Sequence, residues 1–230
     1  RMRESDFEEY HGEASIGLLS GNIFVTGPII EDYLAFSIGV RRSWSEIITL
    51  PALAISNHSK KGEGLKEIFG YSFMDVNAKL DYRFTDEFTG YTHFYYGDDA
   101  VKKGEKKFSF PGEDAYEEEK VLRLKWGNMG AATGLAFHPN DILFTSLDGY
   151  YSHYGSRLKL KNDEQTADGS MYSQKTNKNA IDDMGASLES DFSIGDALVM
   201  KFGGDYVHHK YRPEEVRSRS EERFSRNAET

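Results

Sequence analysis

From Met74 to Phe84 apolar and polar residues alternate without a break: Met74, Val76, Ala78, Leu80, Tyr82 and Phe84 against Asp75, Asn77, Lys79, Asp81 and Arg83. A period of two places the first set on one face of a β-strand and the second on the other. Thr85, Asp86 and Glu87 supply a turn, and Phe88, Gly90, Thr92, Phe94 and Tyr96 return as a second, aromatic-rich strand. At Asp86 a two-residue and a three-residue loop would send opposite faces of residues 88 to 96 toward the apolar side, so the pattern leaves the hairpin register open. These strands run to about ten residues, the length a tilted strand needs to cross a bilayer, whereas strands of soluble sandwiches average about five or six. Aromatic residues also collect at the strand ends, as in the girdles of membrane barrels.

The same binary code recurs along the chain. Residues 1–9 are charged and aperiodic and read as a connector. A first strand is expected over Tyr10 to Leu19, a turn at Ser20-Gly21-Asn22, and a return strand over Ile23 to Thr26, closed by Gly27-Pro28. Tyr33 to Trp44 follows, with Leu34, Phe36, Ile38 and Val40 on one face. Later strands are expected over Glu119 to Phe137, Ile142 to Tyr154, Met184 to Phe192 and Leu198 to Tyr206. Short turns (Pro28 to Asp32, Thr85 to Glu87, His138 to Asp141, Ser193 to Asp196) alternate with long polar stretches at 51–68, 99–115, 158–180 and beyond 212. Loops segregated by length are the signature of an up-and-down transmembrane barrel.

The expected fold is therefore all-β, an antiparallel up-and-down transmembrane β-barrel. Closed single-chain bacterial barrels have an even number of strands. The nine strands counted here imply part of a larger barrel: a junction over 1–9, the N-terminal part of the barrel over 10–212, and an interrupted outer loop over 213–230. The rival folds are an eight-stranded closed barrel and a soluble β-sandwich.

Composition adjusts this picture at a few points. Among 230 residues there are 14 Tyr, 15 Phe and 22 Gly but only 5 Pro, which suits a β-rich chain. No apolar run is long enough for a membrane helix, so any span must be made of strands. A hydrophobic fraction of 38% does not oppose this, because only alternate residues of a barrel strand need be apolar. A net charge of −10 argues against unspecific nucleic-acid binding, and the lack of cysteine removes disulfides, thiolate metal sites and cysteine nucleophiles.

Several stretches taken in order resemble a known family. Tyr10-His11-Gly12 through Ile16-Gly17-Leu18-Leu19-Ser20, then Gly27-Pro28-Ile29, Ala35-Phe36-Ser37 leading to Arg41-Arg42-Ser43, Asp75-Val76-Asn77-Ala78-Lys79 and Trp126-Gly127-Asn128 are similar to the barrel start of TonB-dependent outer-membrane receptors of the Bacteroidota type. The resemblance implies a 22-stranded barrel in the cell outer membrane, filled by a plug and driven by the TonB complex, that imports a siderophore, vitamin, oligosaccharide or peptide. The plug, which carries the TonB contact, is not in this chain, and Arg1-Met2-Arg3 resembles its last strand. Implied partners are outer-membrane lipid and lipopolysaccharide, the protein's own plug, the TonB complex through that plug, and in some relatives a surface lipoprotein. No cofactor is implied.

On the barrel reading, Lys79, Asp81, Arg83, Arg123, Lys125, Asp148, Glu189, Asp191, Lys201 and Asp205 should line the lumen and face the plug. Arg41 stands roughly 20 Å above the Gly27-Pro28 turn at about 2.4 Å of height per tilted residue, and should face the lumen. There Arg41 would meet an anionic ligand or the plug, while Arg42 should face outward, within reach of lipopolysaccharide phosphate. The competing reading pairs these charges across strands. Loop acids such as Glu117, Glu118, Glu119, Asp182 and Asp183 lack the spacing of a Ca²⁺ loop. His208 and His209 should point to opposite faces and so cannot share a metal. No hydrolase elbow, P-loop or zinc-protease motif is present. Ser152-His153 and His58-Ser59 are adjacent pairs that point apart. The chain is expected not to be an enzyme; an adhesion or binding module built on a smaller barrel is the alternative.

Overall fold

A computed structural model describes residues 5–194 and 198–224. Its described residues form one antiparallel sheet of nine strands in sequence order, each paired with its chain neighbour. The strands are β1 (His11–Ile16), β2 (Ser20–Ile30), β3 (Leu34–Ser43), β4 (Leu65–Arg83), β5 (Phe88–Phe108), β6 (Tyr116–Asn140), β7 (Leu143–Thr166), β8 (Gly169–Ile194) and β9 (Leu198–Phe224). The meander is open: β1 and β9 are its edges, and the sheet does not close on itself.

The alternating segments of β3 to β5 and β7 to β9 lie where the periodicity puts them, but β4 to β9 continue far beyond them. The stretches read as loops at 99–115 and 158–180 are mostly strand, and so are residues 213–224, read as part of an outer loop. At the far ends of β5 and β6 charge complementarity replaces the hydrophobic period. Lys106 stands opposite Glu119, Lys107 opposite Glu118 and Glu105 opposite Lys120, and the Lys106 ammonium reaches Glu117 at 2.5 Å. Opposite charges facing each other hold a ladder that hydropathy alone does not announce. Between β5 and β6 residues 109–115 remain as the connection, and between β7 and β8 residues 167–168.

The expected loop over 51–68 is also largely structured. Helix α1 (Ser45–Lys60) and a 3-10 turn over 61–63 precede β4. The register of β3 with β4 stops at Arg42 opposite Met74, leaving the N-terminal half of β4 without a strand on that side. Side chains next to and on α1 cover this edge. The Asn57 carboxamide donates to the Glu67 carbonyl at 2.9 Å and accepts the Glu67 N–H at 2.6 Å. Ser45 donates to the Tyr71 carbonyl at 2.5 Å, and Ser43 accepts the Phe73 N–H at 2.8 Å. Asn57 thus does the work of a strand residue at an edge that would otherwise recruit another chain.

Two turns differ from expectation. The first falls at Gly17-Leu18-Leu19, one turn earlier than Ser20-Gly21-Asn22, with the Gly17 N–H donating to the Ser20 carbonyl at 2.8 Å. Gly21 lies inside β2 because the Trp44 ring rests on it: a Cβ there would come within 2.2 Å of the indole. Pro28 does not end β2 but sits at its register shift, between Pro28 and Ile30, where a missing N–H is tolerated. The β4–β5 loop is Thr85-Asp86-Glu87, with the Phe84 N–H donating to the Phe88 carbonyl at 2.9 Å, which settles the register left open. The readings placed on Arg1-Met2-Arg3, on part of the Ser193 to Asp196 turn and on residues 225–230 lie outside the described residues.

Candidate functional site

The register assigns every strand residue to one of two faces, since directly opposed residues share a face. One face carries an apolar belt. On β3 it consists of Leu34, Phe36, Ile38 and Val40, and on β4 of Tyr82, Leu80, Ala78, Val76 and Met74. The register carries it on through Phe88 to Tyr96 on β5 and Phe137 to Met129 on β6. It ends on Leu143 to Tyr151 of β7, Phe192 to Met184 of β8 and Leu198 to Tyr206 of β9. None of these belt positions is charged. Five alternating positions cover nine residues, about what a tilted strand needs to span a hydrocarbon layer. Leu147, Leu188 and Phe202, at the middle of the belt on their strands, are 51%, 50% and 61% exposed. Tyr82, Phe84, Phe88 and Phe137 form an aromatic chain at the short-turn end, with ring centroids 5.0 to 6.4 Å apart.

The opposite face is a polar wall at the same height. Arg41 lies on it and pairs with Asp75 at 3.2 Å while stacking its guanidinium over Phe73 at 4.6 Å. Asp75 also accepts the Tyr95 hydroxyl at 3.1 Å. Lys79 pairs with Asp81 at 2.7 Å, Asp148 accepts the Tyr91 hydroxyl at 2.7 Å, and Lys201 donates to Asp191 at 2.6 Å. Glu189 and Asp205 share this face. Asp81 Oδ2 and His93 Nε2 are buried there without a hydrogen-bond partner. Such unspent polar capacity suits a wall that meets water or another polar surface.

Residues 6 and 7 cross this wall near the short turns. The Asp6 N–H donates to Thr26 at 3.1 Å, and Arg83 stacks on the Phe7 ring at 4.3 Å. Tyr10 then lies against Gly27 and donates its hydroxyl to the Pro28 carbonyl at 2.6 Å, on the belt face. The chain therefore enters from the polar side, rounds the rim and becomes β1. A groove of about 720 Å³ lies beside the entry, lined by Phe7, Lys79, Asp81, Arg83, Tyr91 and Asp148.

No known protein family matches the sequence, and a search among characterised proteins finds no relative.

Of the ten residues expected on one wall, eight share the polar face: Lys79, Asp81, Arg83, Asp148, Glu189, Asp191, Lys201 and Asp205. Arg123 and Lys125 do not. Lys125 stands opposite Ala100 and Arg123 opposite Lys102, which puts both on the belt face. They were misplaced because Leu122, Leu124 and Trp126 look like a belt segment, whereas that part of β6 lies beyond the belt and its apolar residues turn to the polar side. Arg42 is on the belt face, opposite Met74. Tyr91, His93 and Tyr95 complete the polar wall; once the loop length at Asp86 was fixed, their odd numbering would have revealed them.

Just beyond the belt, Asp182 gathers the Tyr151 hydroxyl at 3.0 Å, His153 Nδ1 at 2.6 Å and the Arg212 guanidinium. The hydrogen bonds from His153, then Arg212, hold its carboxyl well below the usual carboxylate range. Ser152 and His153 take opposite faces and do not meet. Among the described residues no three His, Asp or Glu side chains cluster as metal ligands.

Proposed function

We propose that this chain forms part of the wall of a TonB-dependent outer-membrane receptor that imports a scarce nutrient. The observation that carries the reading is the uncharged belt, continuous from β3 to β9, backed at the same height by a charged and hydrogen-bonded face. A sandwich strand buries its apolar face on a second layer; here no second layer of the described residues covers the belt, and its central leucines stand half exposed. The entry of residues 6–7 from the polar side fits a connection from a plug held inside the wall, and Arg83, Asp81 and Lys79 lie where such a plug would rest. Ligand capture falls to the part of the sheet beyond the belt, and the plug carries the energy-coupling step. No residue of this segment performs covalent chemistry in this reading.

The test is an immunoblot against this segment on outer membranes of the native host, with and without heating. A heat-modifiable band several times larger than 26.1 kDa is the expected result. A band near 26.1 kDa would favour a smaller adhesion barrel, and recovery in the soluble fraction would overturn the membrane reading.

A further inference from the structure

Beyond the belt the polar face acquires an apolar row of its own. Phe69, Lys103, Leu122, Leu160 and Lys175 stand directly opposite one another across β4 to β8. By parity this row lies on the side of Lys79 and Asp148, away from the belt. Phe69 and Leu160 are 43% and 40% exposed. Apolar side chains left open on a wall of hydrogen-bonding groups mark a surface that meets something apolar.

The row floors a groove of about 830 Å³, within the range of small-molecule sites. Its two ends differ. At the β4 end Leu65 and Phe69 meet Leu53 of α1, which the Asn57 hydrogen bonds hold on that edge. The charges at this end are satisfied among themselves. Glu67 takes Lys60 and Ser56, whose hydrogen bonds, followed by the charge of Lys103, hold its carboxyl below the usual range. Glu105 takes Lys107 at 3.4 Å. Lys120 and Lys161, also on the rim, are taken by Glu118 and Glu119 at 2.5 and 2.7 Å.

At the β8 end Lys175 pairs with no carboxylate of the described residues. Its register partners are Leu160 and Ser218, and its neighbours on the same face of β8 are Ser173 and Asn177. Asn162, opposite Ser173 on the groove wall, keeps its Oδ1 buried without a hydrogen-bond partner. An unpaired cation and an unspent amide thus stand at one end of an apolar trough whose other end is closed by leucines. From β8 to β4 the trough crosses four strand spacings of about 4.8 Å, roughly 19 Å.

We propose that this groove binds a long-chain carboxylate of the fatty-acid class, its acid group on Lys175 and its tail over Leu160 and Leu122 toward Phe69, Leu65 and Leu53. The inference names the substrate class of the receptor reading and rests on it. The Lys175 ammonium gives the carboxylate a charge-assisted contact, and the length and apolar floor of the trough suit an extended chain rather than a compact polar solute.

The intact protein in phosphatidylcholine vesicles is irradiated with palmitate bearing a diazirine at its tail end, and adducts are mapped by peptide mass spectrometry. The belt is the internal reference, because probe dissolved in the bilayer labels lipid-facing residues without saturating. The expected result is a second, saturable set of adducts between Leu53 and Phe69, displaced by palmitate at least tenfold more effectively than by cetyl alcohol. Lys175→Gln should weaken that labelling at least tenfold, while Lys66→Gln, on the opposite face of β4, should label as the parent does. Absence of the saturable set, equal displacement by the alcohol, or unchanged labelling in Lys175→Gln overturns the fatty-acid site, and belt adducts then leave the membrane reading standing. Absence of belt adducts overturns both.

Discussion

Leu188 and Met184 lie on the same face of β8 and are equally exposed, at 50% and 49%. In a sheet surrounded by water, an arginine at either position would change stability by only about 0.5 kcal/mol or less, and by the same amount at both. In a bilayer the two sites differ. Leu188 is the middle of the five belt positions of its strand, opposite Leu147 on one side and Gly204 on the other, and Met184 is the outermost. Arginine at the midplane of a membrane barrel costs about 2–4 kcal/mol, and near the interface about 0–1 kcal/mol. Leu188→Arg should therefore lower the folded-to-unfolded ratio about 30- to 1,000-fold, and Met184→Arg less than about tenfold. Denaturant-dependent unfolding of the intact protein in phosphatidylcholine vesicles, followed by tryptophan emission, measures both. Ser187→Arg, on the polar wall between them, sets the baseline for adding a charge. Equal costs at Leu188 and Met184 would refute the belt as a lipid-facing surface.

Three further outcomes follow from the same coordinates. Asn57→Ala removes both hydrogen bonds to the Glu67 backbone and should cost about 1–2 kcal/mol, seen as roughly tenfold faster hydrogen exchange at the Glu67 amide. Gly64 has φ +64, and a Cβ there would lie 2.4 Å from the Phe108 carbonyl oxygen. Gly64→Ala should therefore destabilise the corner before β4 by about 1–3 kcal/mol, measured as a shift in the denaturation midpoint. Because the carboxyl of Asp182 is held below its unfolded value, its stabilisation is fully present above the ordinary carboxylate range and is lost as pH falls through the folded pKa. Amide exchange at Asp182 and Lys210 should show no pH dependence from this carboxyl between pH 5 and 8 and should accelerate only in acid below the ordinary carboxylate range; in Asp182→Asn that acid limb should vanish.

The sheet and its two faces were legible because burial on one side forces a period of two, and the eleven-residue alternation from Met74 to Phe84 fits no other regular structure. The hairpin loop was not, because Thr85-Asp86-Glu87 admits two lengths. The extensions of β5 to β9 were hidden for a different reason. Lys102 to Lys107 and Glu117 to Lys120 have no apolar face, so their pairing shows only when the two segments are compared for charge, Lys106 with Glu119 and Glu105 with Lys120. Helix α1 escaped because Pro51 interrupts its sequence and its apolar residues lack a clean helical stripe. For the candidate site, the charges between Lys79 and Arg83 were placed by parity alone. Arg123 and Lys125 were not, because parity identifies a face only when the height of the belt is also known.

The strands grow from ten residues in β3 to 27 in β9. At about 3.3 Å per residue the far side of the sheet gains roughly 55 Å along the strand direction. Since the belt is the same height throughout, nearly all of this gain lies beyond it, so the wall climbs like a ramp as it turns. If the sheet is the receptor wall proposed above, a solute arriving from the far side would meet a low sill at β1–β3, flanked by α1, and a tall screen at β8–β9.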